Sequence, residues 1–324
     1  MIFLREKKKY LKMNKKSIVI AIAFVVLLIF VSGAIETNKP QSGDYLTFTD
    51  SEGNIVELSQ KPQKVAVLFS SLAECYVNAG GEIYATVGET VERGFADEKT
   101  ELVDKGAGKT IDTEKLIALK PDFVICSADI ASHRDVAATL RKAEIPVALM
   151  RMDTFEDYLA ILKVFTKITD KAENYQKYGE NVQKEINGII ENSKTKDAPT
   201  VLFIRSGSSA SSAKAKKAED NFAAKILEDL GCVNIADKAE ILLDTLSAEV
   251  ILKENPQYIF ISVMGDYENS KAYMESLLKE KEYANLEAVK EGRVYFLPKE
   301  LFQYKPCGRW AESYRYISSI LNNE

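Results

Sequence analysis

The residues best suited to hold a ligand gather at one kind of place in this chain, directly after short apolar runs. Ser70 and Ser71 follow "VAVLF" (65–69), Arg93 and Phe95 lie in "ETVERGF" after "YATVG" (84–88), His133 and Arg134 lie in "SADIASHR" after "DFVIC" (122–126), and Arg151 follows "PVALM" (146–150). In the second half Arg205 and Ser206 follow "TVLFI" (200–204), with Lys214 and Lys216 further along. Met264 and Asp266 follow "YIFISV" (258–263), and Phe302, Tyr304, Lys305 and Arg309 come from "LFQYKPCGRW". Arginine pairs with carboxylate or catecholate oxygens while aromatic rings and Met cover flat apolar surface. The set therefore suits a bulky anionic ligand with apolar faces.

Catalysis fits the same residues poorly. A Ser/His/Asp triad would have to use His133, the only histidine, yet no GxSxG elbow is present and "RSGSS" sits in a low-complexity stretch where preorganisation would be poor. There is no GxGxxG fingerprint and no P-loop. A bare zinc or manganese site needs several His and carboxylate ligands, which one histidine does not supply. No enzyme activity and no resident metal or cofactor are expected. A surface adhesin would show repeats or a wall-sorting tail, and neither is seen.

The elements that must position these residues alternate. Short continuous apolar runs separated by helical patterns such as "SLAECYVNAGG", "TEKLIALK" and "RDVAATLRKAE" are the mark of a parallel sheet covered on both faces. The second half repeats the plan with "TVLFI", "VNIA", "YIFISV" and "RVYFLP" between "DNFAAKILEDLG", "LSAEVILKEN" and "YANLEAVKEG". Between the halves, 154–196 has no strand pattern. Within it Ala172, Tyr175, Tyr178, Val182, Ile186, Ile189 and Ile190 recur at three- and four-residue steps, which predicts one amphipathic helix over 171–193. The expected fold is α/β, two Rossmann-like lobes with mostly parallel sheets joined by one long rigid helix: 35–168, the helix at 169–196, and 197–324. The sheets would face each other across a cleft, with "RSGSSASSAKAKKAEDN" (205–221) as a mobile loop at its mouth.

Residues 1–34 read as a leader. Lys15 and Lys16 precede the uncharged run "SIVIAIAFVVLLIFV" and the small residues "SGA", the parts of a secretory signal peptide cleaved after Ala34, with an uncleaved membrane anchor as the alternative. Either form places 35–324 outside the cytoplasm. Without the leader, 36 basic residues face 47 acidic ones, a net charge of about −11. Such an acidic body argues against nucleic-acid binding, which requires neutralising phosphates with Lys and Arg. Cys75, Cys126, Cys232 and Cys307 follow no CxxC spacing and read as small buried side chains, with one disulfide in each half as the alternative.

One unit occurs twice. "IDTEKLIALKPDFVI" (111–125) and "LSAEVILKENPQYIFI" (246–261) each run from a capping residue, Asp112 or Ser247, through a helix into a strand. Glu114 and Glu249 stand in the first helical turn, and a proline follows seven residues later. A first-turn carboxylate complements the helix dipole by ~0.3–1 kcal/mol, which accounts for either glutamate alone. The pair, at equivalent positions of two lobes held apart by a stiff helix, also forms a two-pronged contact for a partner with two basic pockets. Such prongs would set orientation more than affinity.

These blocks, with "TFTDSEGNIVELSQKPQKVAVLFSSLAECYVNAGGEIYATVG", "DLGCVNIAD" and "LEAVKEGRVYFLP", resemble in order the class III periplasmic binding proteins, the substrate-binding components of ABC importers for ferric siderophores, haem and cobalamin. The resemblance runs from about residue 45 to 320. It implies two lobes whose cleft closes only slightly, and one surface glutamate per lobe that meets arginines of the permease dimer, a role that falls here on Glu114 and Glu249. No cysteine follows "VSGA", a departure from the lipoprotein form. The resemblance further implies a monomer that delivers an iron chelate to an ABC permease and its ATPase. A ferric siderophore leads, haem and cobalamin are alternatives, and His133 or Tyr304 is a candidate axial ligand for haem. The expected ligand contacts are Ser70, Ser71, Arg93, Phe95, Arg151, Arg205, Met264, Phe302, Tyr304 and Arg309. Trp310, the only tryptophan, lies beside them as a fluorescence reporter.

Overall fold

The computed structural model of the protein describes residues 45–104, 110–193, 198–207, 209 and 212–322, so the leader at 1–34 lies outside the described residues. The apolar runs form two parallel sheets. The first is ordered β5-β4-β3-β6-β7, from Glu101–Leu102 (β5), Ala85–Thr86 (β4), Val65–Val67 (β3), Phe123–Ser127 (β6) and Val147–Met150 (β7), with every pair parallel. All five residues of β6 are buried, as a central strand covered on both faces requires. The second sheet is ordered β10-β8-β11-β12, from Val233–Asn234 (β10), Thr200–Ser206 (β8), Tyr258–Val263 (β11) and Val294–Phe296 (β12), again parallel.

Two strand pairings depart from the sequence expectation. Leu46–Thr49 (β1) and Ile55–Leu58 (β2) form an antiparallel hairpin. Its turn is held by Asp50, whose Oδ1 accepts from the Glu52 and Asn54 N–H groups at 3.0 and 2.8 Å, and whose Oδ2 accepts from Leu149 N–H at 3.1 Å. The stretch expected to be a mobile loop carries Lys214–Ala215 (β9), antiparallel to β8. Ala213 and Ala215 are fully buried there, so small side chains that read as low complexity serve as packing surface.

Helices cover both sheets: Ser70–Asn78 (α1), Gly88–Glu92 (α2), Thr113–Ala118 (α3), Ala131–Lys142 (α4) and Phe155–Thr169 (α5) in the first half. The strandless segment holds α5 before the expected helix. Thr154 and Asp157 form a reciprocal capping box at its start, and Asp170, at φ 58°, ends it in the left-handed region. The next helix runs through Ala172–Tyr175 (α6), a π-helical turn Gln176–Glu180 and Asn181–Ser193 (α7), roughly 33 Å at ~1.5 Å per residue. In the π turn the Tyr178 carbonyl accepts from the Tyr158 hydroxyl at 2.9 Å, so the widened turn leaves no unpaired oxygen there. The second half adds Phe222–Asp229 (α8), Ala248–Glu254 (α9), Tyr267–Lys279 (α10), Glu287–Lys290 (α11), Lys299–Phe302 (α12) and Trp310–Leu321 (α13).

Each sheet has its own outer core, but the inner faces share one. A single apolar cluster joins Val67, Phe123 and Tyr158 of the first half to Phe203, Trp310 and Ile317 of the second, by way of Val182 and Ile186 on α7. The buried Ser193 and Ser318 hydroxyls bond across α7 and α13 at 2.5 Å. The four cysteines are buried and free. Among the described residues no helix is long and apolar enough to cross a membrane.

Candidate functional site

The carboxyl ends of both sheets border a cavity of about 520 Å³. Asp129 follows β6, Asp153 and Thr154 follow β7, and Arg205 and Ser262 lie near the ends of β8 and β11, all on its wall. Helix α7 supplies Gln183, Ile186, Asn187 and Ile190. Apolar surface comes from Phe69, Phe155, Phe222, Phe302 and Trp310, and the Trp310 ring meets Phe155 and Phe222 edge-on at 5.7 and 5.2 Å between centroids. Parallel α/β sheets collect ligands at this edge because strand ends and helix starts converge there.

The expected contact residues divide between this cavity and a sealed seam beside it. Arg205 and Phe302 line the cavity. Arg93 is instead enclosed: its Nη2 donates to the Glu74 carboxylate at 2.5 Å, its Nη1 to the Ser70 hydroxyl at 3.1 Å, and its guanidinium lies 5.0 and 4.1 Å from the ring centres of Phe95 and Tyr304. Ser70 in turn donates to Glu89 at 2.5 Å, and Ser71 Oγ accepts from Lys305 N–H at 3.3 Å. Thus Ser70, Ser71, Arg93, Phe95 and Tyr304 are brought together, but around Glu74. The Arg93 and Glu74 side chains are only 10% and 6% exposed. Burial pushes the Glu74 carboxyl up to about 7 against the pull of Arg93.

The remaining expected contacts lie apart from the cavity wall. Arg151 pairs with Asp129 at 3.0 Å and Glu52 at 2.8 Å. Arg309 forks onto Glu312. The backbone of Met264 bonds to Ser206 and Ser270, and Asp266 caps α10. His133 corrects an expectation outright. It is a fully buried member of α4, its Nδ1 accepting from Ser127 N–H at 3.1 Å, and burial lowers its pKa to about 4. It does not line the cavity, which removes it as an axial haem ligand. Among the described residues no group of three His, Cys, Asp or Glu side chains could hold a metal ion.

Sequence reasoning missed most of the wall. Glu156 falls in the segment 154–196 that shows no strand pattern, Asp153 lies just before it, and Ile186 and Ile190 read only as the packing stripe of the helix. The polar residues at 183 and 187, flanking that stripe at helical spacing, were the available signal.

Glu114 and Glu249 are both exposed, in the first turns of α3 and α9, with no hydrogen-bond or ion-pair partner among the described residues. Asp112 caps α3, accepting from Lys115 N–H at 3.0 Å, whereas Ser247 makes no side-chain cap bond. Each helix ends at a left-handed residue, Lys120 (φ 51°) or Asn255 (φ 41°), immediately before the proline.

The model of the family described as "Periplasmic binding protein" matches residues 58–301, and the chain belongs to that family. Its members bind a substrate rather than transform it, and work with ABC transporters. The petrobactin-binding protein YclQ from Bacillus subtilis superposes with a TM-score of 0.69 at 20% identity, covering 86% of this chain and 99% of that one. The periplasmic heme-binding protein RhuT from Roseiflexus sp. RS-1, in apo form, gives 0.67 at 15% identity over 80% and 97%. Staphylococcus aureus SirA complexed with staphyloferrin B gives 0.64 at 19% identity over 85% and 97%. No curated protein sequence matched the chain.

Proposed function

We propose that the protein is the extracytoplasmic, monomeric substrate-binding component of an ABC importer, exported by its leader. It captures an iron chelate, a ferric siderophore in the first place, and carries it to a permease dimer. The observation that carries the reading is the cavity at the carboxyl ends of two parallel sheets in a chain of this family, walled by aromatic and charged side chains. The structural neighbours that bind petrobactin, haem and staphyloferrin B support the class of ligand. A core continuous across both lobes favours a cleft that moves little.

Docking on the permease falls to Glu114 and Glu249. Both are exposed and have no partner among the described residues, so neither carboxylate is tied into the described fold. The Asp112 N–H donates to the Val103 carbonyl at 2.7 Å, just past the carboxyl end of β5, which favours a place for Glu114 on the edge from which the cavity opens. Glu249 holds the same place in the second copy. The Glu114→Ala, Glu249→Ala double variant should lose uptake in cells while its ligand affinity, measured by titration, stays unchanged. Normal uptake by that variant would remove the docking assignment.

A further inference from the structure

The cavity wall narrows the class of chelate, an inference that rests on the iron-chelate reading above. Six carboxylates, Asp129, Asp153, Glu156, Glu219, Asp220 and Asp229, line it against three cations, Arg205, Lys225 and Lys305. Pairing removes half of the carboxylates. Asp129 is held by Arg151, Asp153 by Lys305 at 2.9 Å, and Asp229 by Lys225 at 2.6 Å. Glu156, Glu219 and Asp220 have no partner among the described residues, and the one lining cation without a partner there is Arg205. The free charge presented to a ligand is therefore negative.

Two buried polar atoms on the same wall add a second requirement. Trp310 is 1% exposed, and among the described residues its indole Nε1–H has no acceptor and the buried Gln303 Oε1 has no donor. A ligand that offers both an acceptor and an N–H or O–H donor satisfies the pair, as an amide does.

We infer that the cavity takes a ferric chelate with a neutral core, amide linkages and a protonated amine: a hydroxamate-type siderophore, not a catecholate or polycarboxylate one. Three hydroxamates each contribute one negative charge and neutralise the ferric ion. Three catecholates leave three negative charges on the complex, which a wall with three free carboxylates and one free guanidinium repels. The phenylalanine rings cover the methylene arms, the amine meets the acidic side, and Arg205 receives a chelate oxygen.

The test is a titration of the full protein, followed by Trp310 fluorescence, with ferric desferrioxamine B, its N-acetylated form, ferric enterobactin and ferric citrate. The amine-bearing hydroxamate should bind best, and acetylation should weaken it about fivefold, the scale of one exposed ion pair. The Glu156→Gln, Glu219→Gln, Asp220→Asn variant should weaken the amine form about tenfold and abolish its advantage over the acetylated form. Tighter binding of enterobactin or citrate, or an unchanged amine preference in the variant, would overturn the charge inference and leave the iron-chelate reading standing. Absence of any fluorescence change or thermal shift with all four chelates would overturn the iron-chelate reading, and this inference with it.

Discussion

Arg93, directly after α2, and Arg205, near the carboxyl end of β8, carry the same group beside the same cleft, yet their surroundings are opposite. Arg93 is sealed between two rings, bonded to a buried carboxylate and to a serine hydroxyl. Arg205 is exposed on the cavity wall with no partner among the described residues. A guanidinium withdrawn from water must find its hydrogen bonds within the protein, and once it has them it has little left to offer a ligand. Satisfaction, more than nearness to the carboxyl edge of a sheet, separates a structural arginine from a binding one.

Removing the partner should expose that difference most strongly. At pH 8 the Glu74→Ala variant leaves a buried guanidinium without its carboxylate and should lose about 3–5 kcal/mol, measured by urea denaturation. Arg205→Ala, at an exposed and unpaired site, should stay within about 0.5 kcal/mol of the parent. Equal losses would erase the distinction between seam and cavity.

The seam should also be sensitive to pH, with a defined sign. The folded-state pKa of Glu74 is raised from 4.5 to about 7 by burial, so the native state holds the proton more tightly than the unfolded chain. Its contribution is fully present below about pH 4.5 and is lost as the pH rises through 7. His133 acts in the opposite sense. Its pKa is lowered from 6.5 to about 4, so its contribution is present above pH 6.5 and is lost as the pH falls toward 4. Comparison with Glu74→Gln, which cannot titrate, isolates the first term. The stability of the parent relative to this variant should fall by up to about 3 kcal/mol between pH 4.5 and 7. A flat difference curve would show that Arg93 keeps Glu74 ionised throughout.

Much of the fold was legible because its main strands are buried on both faces and so appear as unbroken apolar runs; "FVICS" and "YIFISV" are examples. The hairpin β1–β2 and the two-residue β9 were not. The hairpin strands alternate in burial over only four residues each, too short a run to stand out, and β9 pairs through alanines packed against a neighbouring strand, which leaves no periodic trace. Helix α5 was hidden by its charged outer face, although Tyr158, Leu162 and Phe165 are completely buried. The paired helices with Glu114 and Glu249 were visible because cap, carboxylate and proline recur at fixed spacing. In the site, no local pattern could tell Arg93 from Arg205. The partners of Arg93 come from α1 and from Tyr304, more than two hundred residues away in the chain, and only the fold brings them together.

The smallest expected effect bears on why the cavity keeps charges that the seam would not tolerate. Glu156, Glu219 and Asp220 face one another's field across a solvated wall with no partner among the described residues, so each is weakly repelled in the ligand-free protein. Glu156→Gln and Asp220→Asn should therefore leave folding stability unchanged or raise it, by less than about 0.5 kcal/mol each, with the gain fading as salt screens the wall. Thermal melts of the two single variants at low and high salt would measure it. A loss of stability in either would mean that the carboxylate serves the fold, which would return it to the same category as Glu74. A small gain fits residues retained for what they bind, because a group selected for folding alone would not be improved by its removal.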